Sequence, residues 1–201
     1  HGPKVEIEDG EITAFFDQDD ENFYFLRTGD KQYIEFNTNE QPGIEVFDRN
    51  LTHQKFIPLR IESEEKYRRL QPLAFYKTRA NFVFLCKYYS SANQIVKAYL
   101  FKTAPDGEVI GGLTDLGEIN DISPLQEDFH YFQLHRIEKD TVTQFIFSLT
   151  TSPDLEVPER INFIIFDEQL NVTGDRLINF PDDMLDYEFS EQLASQEGQV
   201  F

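Results

Sequence analysis

Three passages of this chain share one layout: a short apolar strand ending near a Phe, a polar turn, and a second short strand. They are Gly43-Ile-Glu-Val-Phe-Asp-Arg-Asn-Leu51 leading to Phe56-Ile-Pro-Leu-Arg-Ile61, Val96-Lys-Ala-Tyr-Leu-Phe-Lys102 leading through Pro105-Asp-Gly107 to Glu108-Val-Ile110, and Ile161-Asn-Phe-Ile-Ile-Phe-Asp-Glu-Gln-Leu170 leading to Arg176-Leu-Ile-Asn-Phe180. They read as copies of one β-unit, and the recurrence limits the chain to an architecture built from that unit.

Each copy is preceded by two further extended runs. In the first, Glu11–Phe16 turns through the acidic Asp17–Asn22 into Phe23–Arg27, with a further extended run at Gln32–Phe36. In the second, Leu70–Tyr76 turns into Asn81–Tyr89, and in the third, Phe129–Ile137 turns into Thr141–Leu149. Turn residues between aromatic and β-branched runs are the signature of hairpins, so each unit is expected to be a four-stranded up-and-down meander. Phe47, Phe101 and Phe166 are taken as the equivalent positions of the three units, and the second interval between them is longer than the first. The core material agrees: 20 Phe and 9 Tyr with no Trp and one Met suit a pleated, half-buried surface.

The expected fold class is therefore all-β. The expected organisation is a terminal segment at 1–10, a three-repeat domain over 11–180 divided at about 11–65, 66–120 and 121–180, and an acidic helix or tail over 181–201. In that last stretch Met184, Leu185, Tyr187, Phe189 and Leu193 are spaced loosely as on a short amphipathic helix. A helical turn is also expected in the loop Leu116–Asp128, starting at Ser123-Pro124.

Units of this size with four strands each resemble the blades of a β-propeller, of the divergent bacterial kind whose third strand ends in Phe-Asp-x-x-Leu. The motif stands here as Phe47-Asp-Arg-Asn-Leu51 and Phe166-Asp-Glu-Gln-Leu170, whereas Phe101-Lys-Thr-Ala-Pro-Asp-Gly107 keeps the Phe and the turn without the Asp. The resemblance covers about residues 11 to 180. It implies a shape and a habit of binding partners, and no active site comes with it. A β-sandwich or barrel is the alternative. Three units are fewer than a propeller needs, so the expectation is that another segment or another chain completes the sheet array. The absence of an initiator Met fits a processed form, a protease scar at His1-Gly2-Pro3, or a fragment.

The net charge of −19 is segregated. Residues 1–65 carry 16 acids and six bases (−10), residues 66–105 carry eight bases and no acid (+8), and residues 106–201 carry 21 acids and four bases (−17), which sums to −19. Complementarity within the fold, or with a protein partner, is the simplest use of a basic segment between acidic ones. The candidate binding residues are Lys77, Arg79, Lys87, Tyr88, Tyr89 and Lys97, because aromatic rings interleaved with cations can also stack and neutralise a single strand of nucleic acid. The strongly negative field of the whole chain opposes any polyanion, so nucleic acid is not the expected partner.

Asp17, Asp19, Asp20 and Glu21 form the weak metal candidate, since calcium takes several carboxylates from a flexible loop. The cluster lacks the glycine and distal Glu of a calcium loop, and a solvated hairpin turn is the simpler reading. His130 and His135 are five apart, which on a strand places them on opposite faces. A mature terminal His1 could chelate copper. Cys86 is the only cysteine, so no intrachain disulfide can form, and an apolar setting marks it as a core residue. Asn50-Leu-Thr52 and Asn171-Val-Thr173 are glycosylation sequons that turn chemistry explains equally well.

Phosphate-binding loops, dinucleotide fingerprints, serine-hydrolase elbows and zinc spacings are all missing, so no cofactor is expected. No apolar stretch reaches the roughly 20 residues of a membrane span. The free cysteine fits the cytoplasm and the exported compartments of bacteria alike, and export to the periplasm or beyond is the favoured expectation. The functional expectation is a non-catalytic protein-interaction or scaffold domain, self-association included. The alternative is a secreted glycan-binding or glycan-processing module.

Overall fold

The computed structural model describes residues 11–28, 33–36, 41–61, 69–90, 92–120, 132–139, 142–151 and 160–179. Among them all regular structure is strand: β1 Glu11–Gln18, β2 Asn22–Thr28, β3 Gly43–Asp48, β4 His53–Pro58, β5 Gln71–Lys77, β6 Phe82–Ser90, β7 Ile95–Thr103, β8 Val109–Asn120, β9 Phe132–Lys139, β10 Val142–Thr151, β11 Arg160–Asp167 and β12 Val172–Asn179. They form three separate four-stranded antiparallel sheets in sequential order, β1-β2-β3-β4, β5-β6-β7-β8 and β9-β10-β11-β12. The all-β, four-stranded meander is thus as the sequence pattern predicts, and among the described residues no barrel closes. The chain divides into two compact units, residues 1–118 and 119–201.

Some expectations need correction. Of the run Gln32–Phe36 the structure describes residues 33–36, which form no strand; Ile34 makes an isolated bridge, exchanging both backbone hydrogen bonds with Leu70 at 2.7 and 3.1 Å. Strand β8 runs on to Asn120, so residues 116–120 belong to a strand rather than to the loop expected over 116–128, and the helical turn expected from Ser123-Pro124 lies outside the described residues. Residues 1–10, 121–131 and 180–201 lie outside the described residues, and with them His1, His130 and the expected C-terminal helix or tail.

The turn geometry sets the repeat register. Asp48 N donates to Thr52 O (3.0 Å) and Leu51 N to Asp48 O (2.9 Å); Asp167 N donates to Asn171 O (3.0 Å) and Leu170 N to Asp167 O (3.0 Å). Ala104 N to Glu108 O (2.8 Å) and Gly107 N to Ala104 O (3.0 Å) repeat this pattern in the second sheet. All three are three-residue hairpin loops whose last residue is left-handed, at φ 60 for Leu51, 91 for Gly107 and 63 for Leu170. The position of Phe47 and Phe166 is therefore taken by Thr103, and Phe101 lies two residues earlier along the strand. Aligned instead on Asp48, Ala104 and Asp167, the three units are more evenly spaced than the Phe positions suggest.

In the two Phe-Asp-x-x-Leu turns the Asp is the organiser. Asp48 Oδ1 accepts from Asn50 N (2.9 Å) and Thr52 N (2.8 Å), and Asp167 Oδ1 from Asn171 N (2.8 Å). A short carboxylate caps donors that the tight turn leaves unpaired. Asp48→Ala should lower stability by about 1 kcal/mol in urea unfolding, with Asp48→Asn retaining most of it; an unchanged midpoint for the alanine variant would refute the capping role.

From this register a second motif emerges. Phe23-Tyr-Phe25, Phe82-Val-Phe84 and Phe145-Ile-Phe147 occupy equivalent rungs, each lying opposite the turn-proximal end of the third strand of its sheet. In residues 1–118 the first two sheets share one core, with Tyr24, Leu26, Ile44, Val46 and Ile57 of the first packed with Phe75, Phe82, Phe84, Cys86, Tyr99 and Phe101 of the second. Tyr24 meets Phe82 edge-on at 5.4 Å, and Phe84 stacks on Phe101 at 4.7 Å. Hydrogen bonds tie the same sheets together: the Asp17 side chain accepts at Oδ2 from Lys77 N (2.7 Å), and between backbones Arg60 N donates to Gly107 O (3.0 Å) and Val109 N donates to Arg60 O (2.8 Å). In the third sheet Ile137, Ile146, Ile161 and Phe163 form a core cluster on one face, and Phe132 stacks on Phe147 at 6.2 Å on the other.

Candidate functional site

The six candidate binding residues do not converge. Lys77 ends β5 opposite Phe82, and Arg79 sits in the β5–β6 turn. Lys87, Tyr88 and Tyr89 lie at the far end of β6, where Tyr88 faces Lys97. Six residues of strand, about 20 Å, separate the two groups. Within the second group the pleat divides the residues again: Tyr88 turns to the face of Phe84 and Cys86 and packs on the core, while Lys87 and Tyr89 occupy the opposite face.

The cations have partners of their own. Lys97 Nζ lies 3.1 Å from Asp115 Oδ2 and 3.0 Å from Glu118 Oε2, both on β8, and hydrogen bonds from its ammonium to Glu118 and Asp115 raise its pKa. Lys77 Nζ donates to the carbonyl of Thr78 and lies 5.3 Å from the ring centroid of Phe82 and 5.8 Å from that of Tyr24. Arg69 Nε reaches Glu35 Oε1 at 2.9 Å. Part of the positive charge of residues 66–105 thus meets acids contributed by the residues on either side of that stretch.

The acidic turn is occupied by its own hydrogen bonds. Asp19 Oδ1 accepts from Glu21 N (3.0 Å) and Asn22 N (2.9 Å), and its Oδ2 accepts from the Tyr24 hydroxyl (2.5 Å). Burial opposes ionisation of Asp19, but these donors outweigh it and hold the carboxyl below its ordinary value. Asp17 turns inward to Lys77 N, and Asp20 is exposed, its carbonyl accepting from Arg49 Nε at 3.1 Å. Among the described residues no three His, Cys, Asp or Glu side chains come together in a metal-binding group.

Tyr24 carries the opposite shift: burial, then its hydrogen bond to Asp19, pushes the phenol up to about 12. A folded-state pKa above the unfolded value means that this contribution to stability is complete below about pH 10 and is lost as the pH rises towards 12. Unfolding midpoints measured across that window should fall for the protein and fall less for Tyr24→Phe; parallel curves would refute the assignment.

Sequence reasoning missed a buried array of charge. Glu45, in the middle of β3, is 2% exposed. Its Oε1 lies 2.9 Å from Arg27 Nη1, and its Oε2 accepts from His53 Nε2 at 2.7 Å. The Arg27 guanidinium lies 3.7 Å from the centroid of the Phe56 ring. That ring in turn covers Gly43, where a Cβ would sit 2.1 Å from Phe56 Cε2. The register explains the location: Arg27 and Glu45 stand where the second sheet has Cys86 and Phe101, so an ion pair fills positions that are apolar core in the next repeat. The signal in the sequence is a single acid within the apolar Gly43-Ile-Glu-Val-Phe47, but its partners stand on the strands before and after it, beyond the reach of any local pattern.

His53 is exposed and ring-packed against Phe47 at 5.3 Å; both Glu45 oxygens are engaged, and the array holds no nucleophile. His135 is half-buried beside Gln133 Oε1 at 3.1 Å, and burial lowers its pKa. Cys86 is fully buried, which pushes its thiol pKa far up and leaves it protonated and unreactive. No helix among the described residues is long and apolar enough to cross a membrane. No protein-family model matches the chain, and a search of curated proteins returns no match.

Proposed function

We propose that this chain is a non-catalytic protein-interaction domain, a propeller-like repeat that works within a larger propeller or a multi-subunit assembly. The observation that carries this reading is the last strand of the third sheet. Of the six exposed large apolar side chains among the described residues, three lie on β12: Val172 (63%), Leu177 (58%) and Ile178 (41%). Apolar side chains concentrated on a terminal strand favour contact with another polypeptide. A glycan-binding module is the weaker reading, since the adjacent Tyr88 and Tyr89 alternate between faces and offer no common platform for a sugar ring.

The test is affinity enrichment from an extract of the source cells on the immobilised chain, quantified against a Val172→Ser/Leu177→Ser/Ile178→Ser variant and a protein of matched charge. A defined partner enriched by the chain and lost with the variant is the expected result. Enrichment no greater than that of the charge-matched protein would refute the reading, and glycan-array binding by the chain would replace it.

A further inference from the structure

We infer that Arg27, Glu45, His53 and Phe56 form a cap that ends the repeat stack at the first sheet, so that no further repeat, from this protein or another, packs on that face. The inference rests on the interaction reading above and narrows it. It leaves an open array within a multi-subunit assembly, whereas a closed propeller covers every sheet on both faces.

The stack has a direction. The second sheet packs Phe82, Phe84, Cys86 and Phe101 with Tyr24, Leu26, Ile44 and Val46 of the first. Side chains alternate along a strand, so Phe23, Phe25, Arg27 and Glu45 lie on the opposite face of the first sheet. Counted from the shared turns, these four are the counterparts of Phe82, Phe84, Cys86 and Phe101. Theirs is the face on which a preceding repeat would sit if the same packing were continued.

The two faces are sealed differently. Phe101 is 1% exposed and lies in the core shared with the first sheet, edge-on to Phe36 at 6.2 Å. Glu45 is 2% exposed, yet its oxygens are taken up within its own sheet by Arg27 and His53, and Phe56 stands directly opposite it on β4. The Phe56 ring lies against the Arg27 guanidinium and over Gly43. Counted from Asp48 and Ala104, the second sheet has Gly112 where the first has Phe56, and so has no ring of its own there. Phe23 and Phe25 stay part-exposed, whereas Phe82 and Phe84 are 1% and 0% exposed.

A sheet laid on this face would strip water from His53, whose side chain is 42% exposed, and would bury a charged pair whose partners are already chosen. The gain would be limited to what remains accessible of the Phe rings, and desolvating charge without a new partner is costly. Apolar residues at these positions are commonly no less stable than a buried ion pair, so the use of the pair lies in what it prevents. A stacked array needs a polar outer face on its terminal repeat, because an apolar one recruits a neighbour.

The test is sedimentation velocity of the full chain over a range of concentrations. Arg27→Met/Glu45→Leu, which gives this face the apolar character of its counterpart, should self-associate at least about tenfold more tightly than the parent. Adding Phe25→Lys on the same face should return it to the parent's behaviour. A double variant that sediments as the parent does, or a gained association indifferent to Phe25→Lys, would overturn the inference. A second measurement does not depend on the folding of that variant. His53→Cys places a thiol on the face while Cys86 stays buried, and its alkylation by N-ethylmaleimide should proceed at one rate at low and high protein concentration and on the washed complex retained in the enrichment above. Slower alkylation in either state would show the face covered and overturn the inference as well. Such a failure with the enrichment intact would leave the interaction domain standing and restore the closed propeller, whereas loss of enrichment alone would remove the interaction reading and leave the cap.

Discussion

Replacing Gly107 by alanine should lower stability by about 3 kcal/mol, the sum of a left-handed backbone penalty and an overpacked contact. Gly107 has φ +91, and a Cβ there would lie 2.0 Å from the carbonyl oxygen of Pro58. The obstacle is backbone, which cannot rotate away as a flexible side chain would. The same stretch of chain forms the bridge between Arg60 and residues 107–109, so relief of the clash would come at the expense of hydrogen bonds joining the first two sheets. Gly111 provides the comparison, with φ +74 and nothing within 4 Å of where a Cβ would stand. Gly111→Ala should therefore cost only about 1 kcal/mol, the conformational part alone. Urea unfolding of the two variants separates the contributions, and equal losses would show that the approach to Pro58 has no energetic consequence.

Breaking the buried charge array should cost as much or more. Glu45→Ala removes the acceptor for both Arg27 and His53 while leaving the guanidinium against the Phe56 ring, and loss of one member of a buried pair typically costs about 3–5 kcal/mol. The side chains of Glu45 and Arg27 are 3% and 11% exposed, so water cannot readily replace the missing partner. Replacing both, as Arg27→Met/Glu45→Leu, should recover most of the loss, because the second sheet fills the equivalent positions with Cys86 and Phe101. His53→Ala should have a much smaller effect, since its side chain is 42% exposed and exposed pairs contribute little. Chemical denaturation of the single and double variants forms the cycle. A Glu45→Ala loss below about 1 kcal/mol, or a double variant worse than Glu45→Ala, would rule out the array as a buried ion pair.

The strands were legible because their information is local. Phe82–Leu85 and Phe163–Phe166 are short apolar runs within β6 and β11, each with a turn close to one end, and the period of the strand with its turns is written into each segment. Register was less legible. Phe101 resembles Phe47 and Phe166 in setting, yet the hydrogen bonds of the turn make Thr103 their counterpart, and the Phe-x-Phe of the second strand recurs at equivalent rungs in all three sheets. A motif defined by spacing from a Phe misses this, because the loop that follows fixes the rung and the three loops differ in composition.

The candidate site was the least legible part. Lys77 and Lys97 belong to one basic stretch and share a common character, but β6 runs between their positions and carries them to opposite ends of the sheet. Tyr88 and Tyr89 are adjacent in sequence and opposed in space. Arg27, Glu45 and His53 lie on three different strands and draw together only because β2, β3 and β4 pair in one register.

By itself the sequence determined that this protein is all-β, that its unit is a four-stranded meander, and where most of its strands and turns fall. These depend on alternation and turn chemistry within a few residues. The tertiary structure decided which rungs are equivalent, which face of each sheet is core, that a buried ion pair stands in the first sheet where the second has Cys86 and Phe101, and that β12 is, among the described residues, an exposed terminal strand. Each of those depends on contacts between residues far apart in the chain, and pairing energy across strands has no counterpart in the order of residues along one of them.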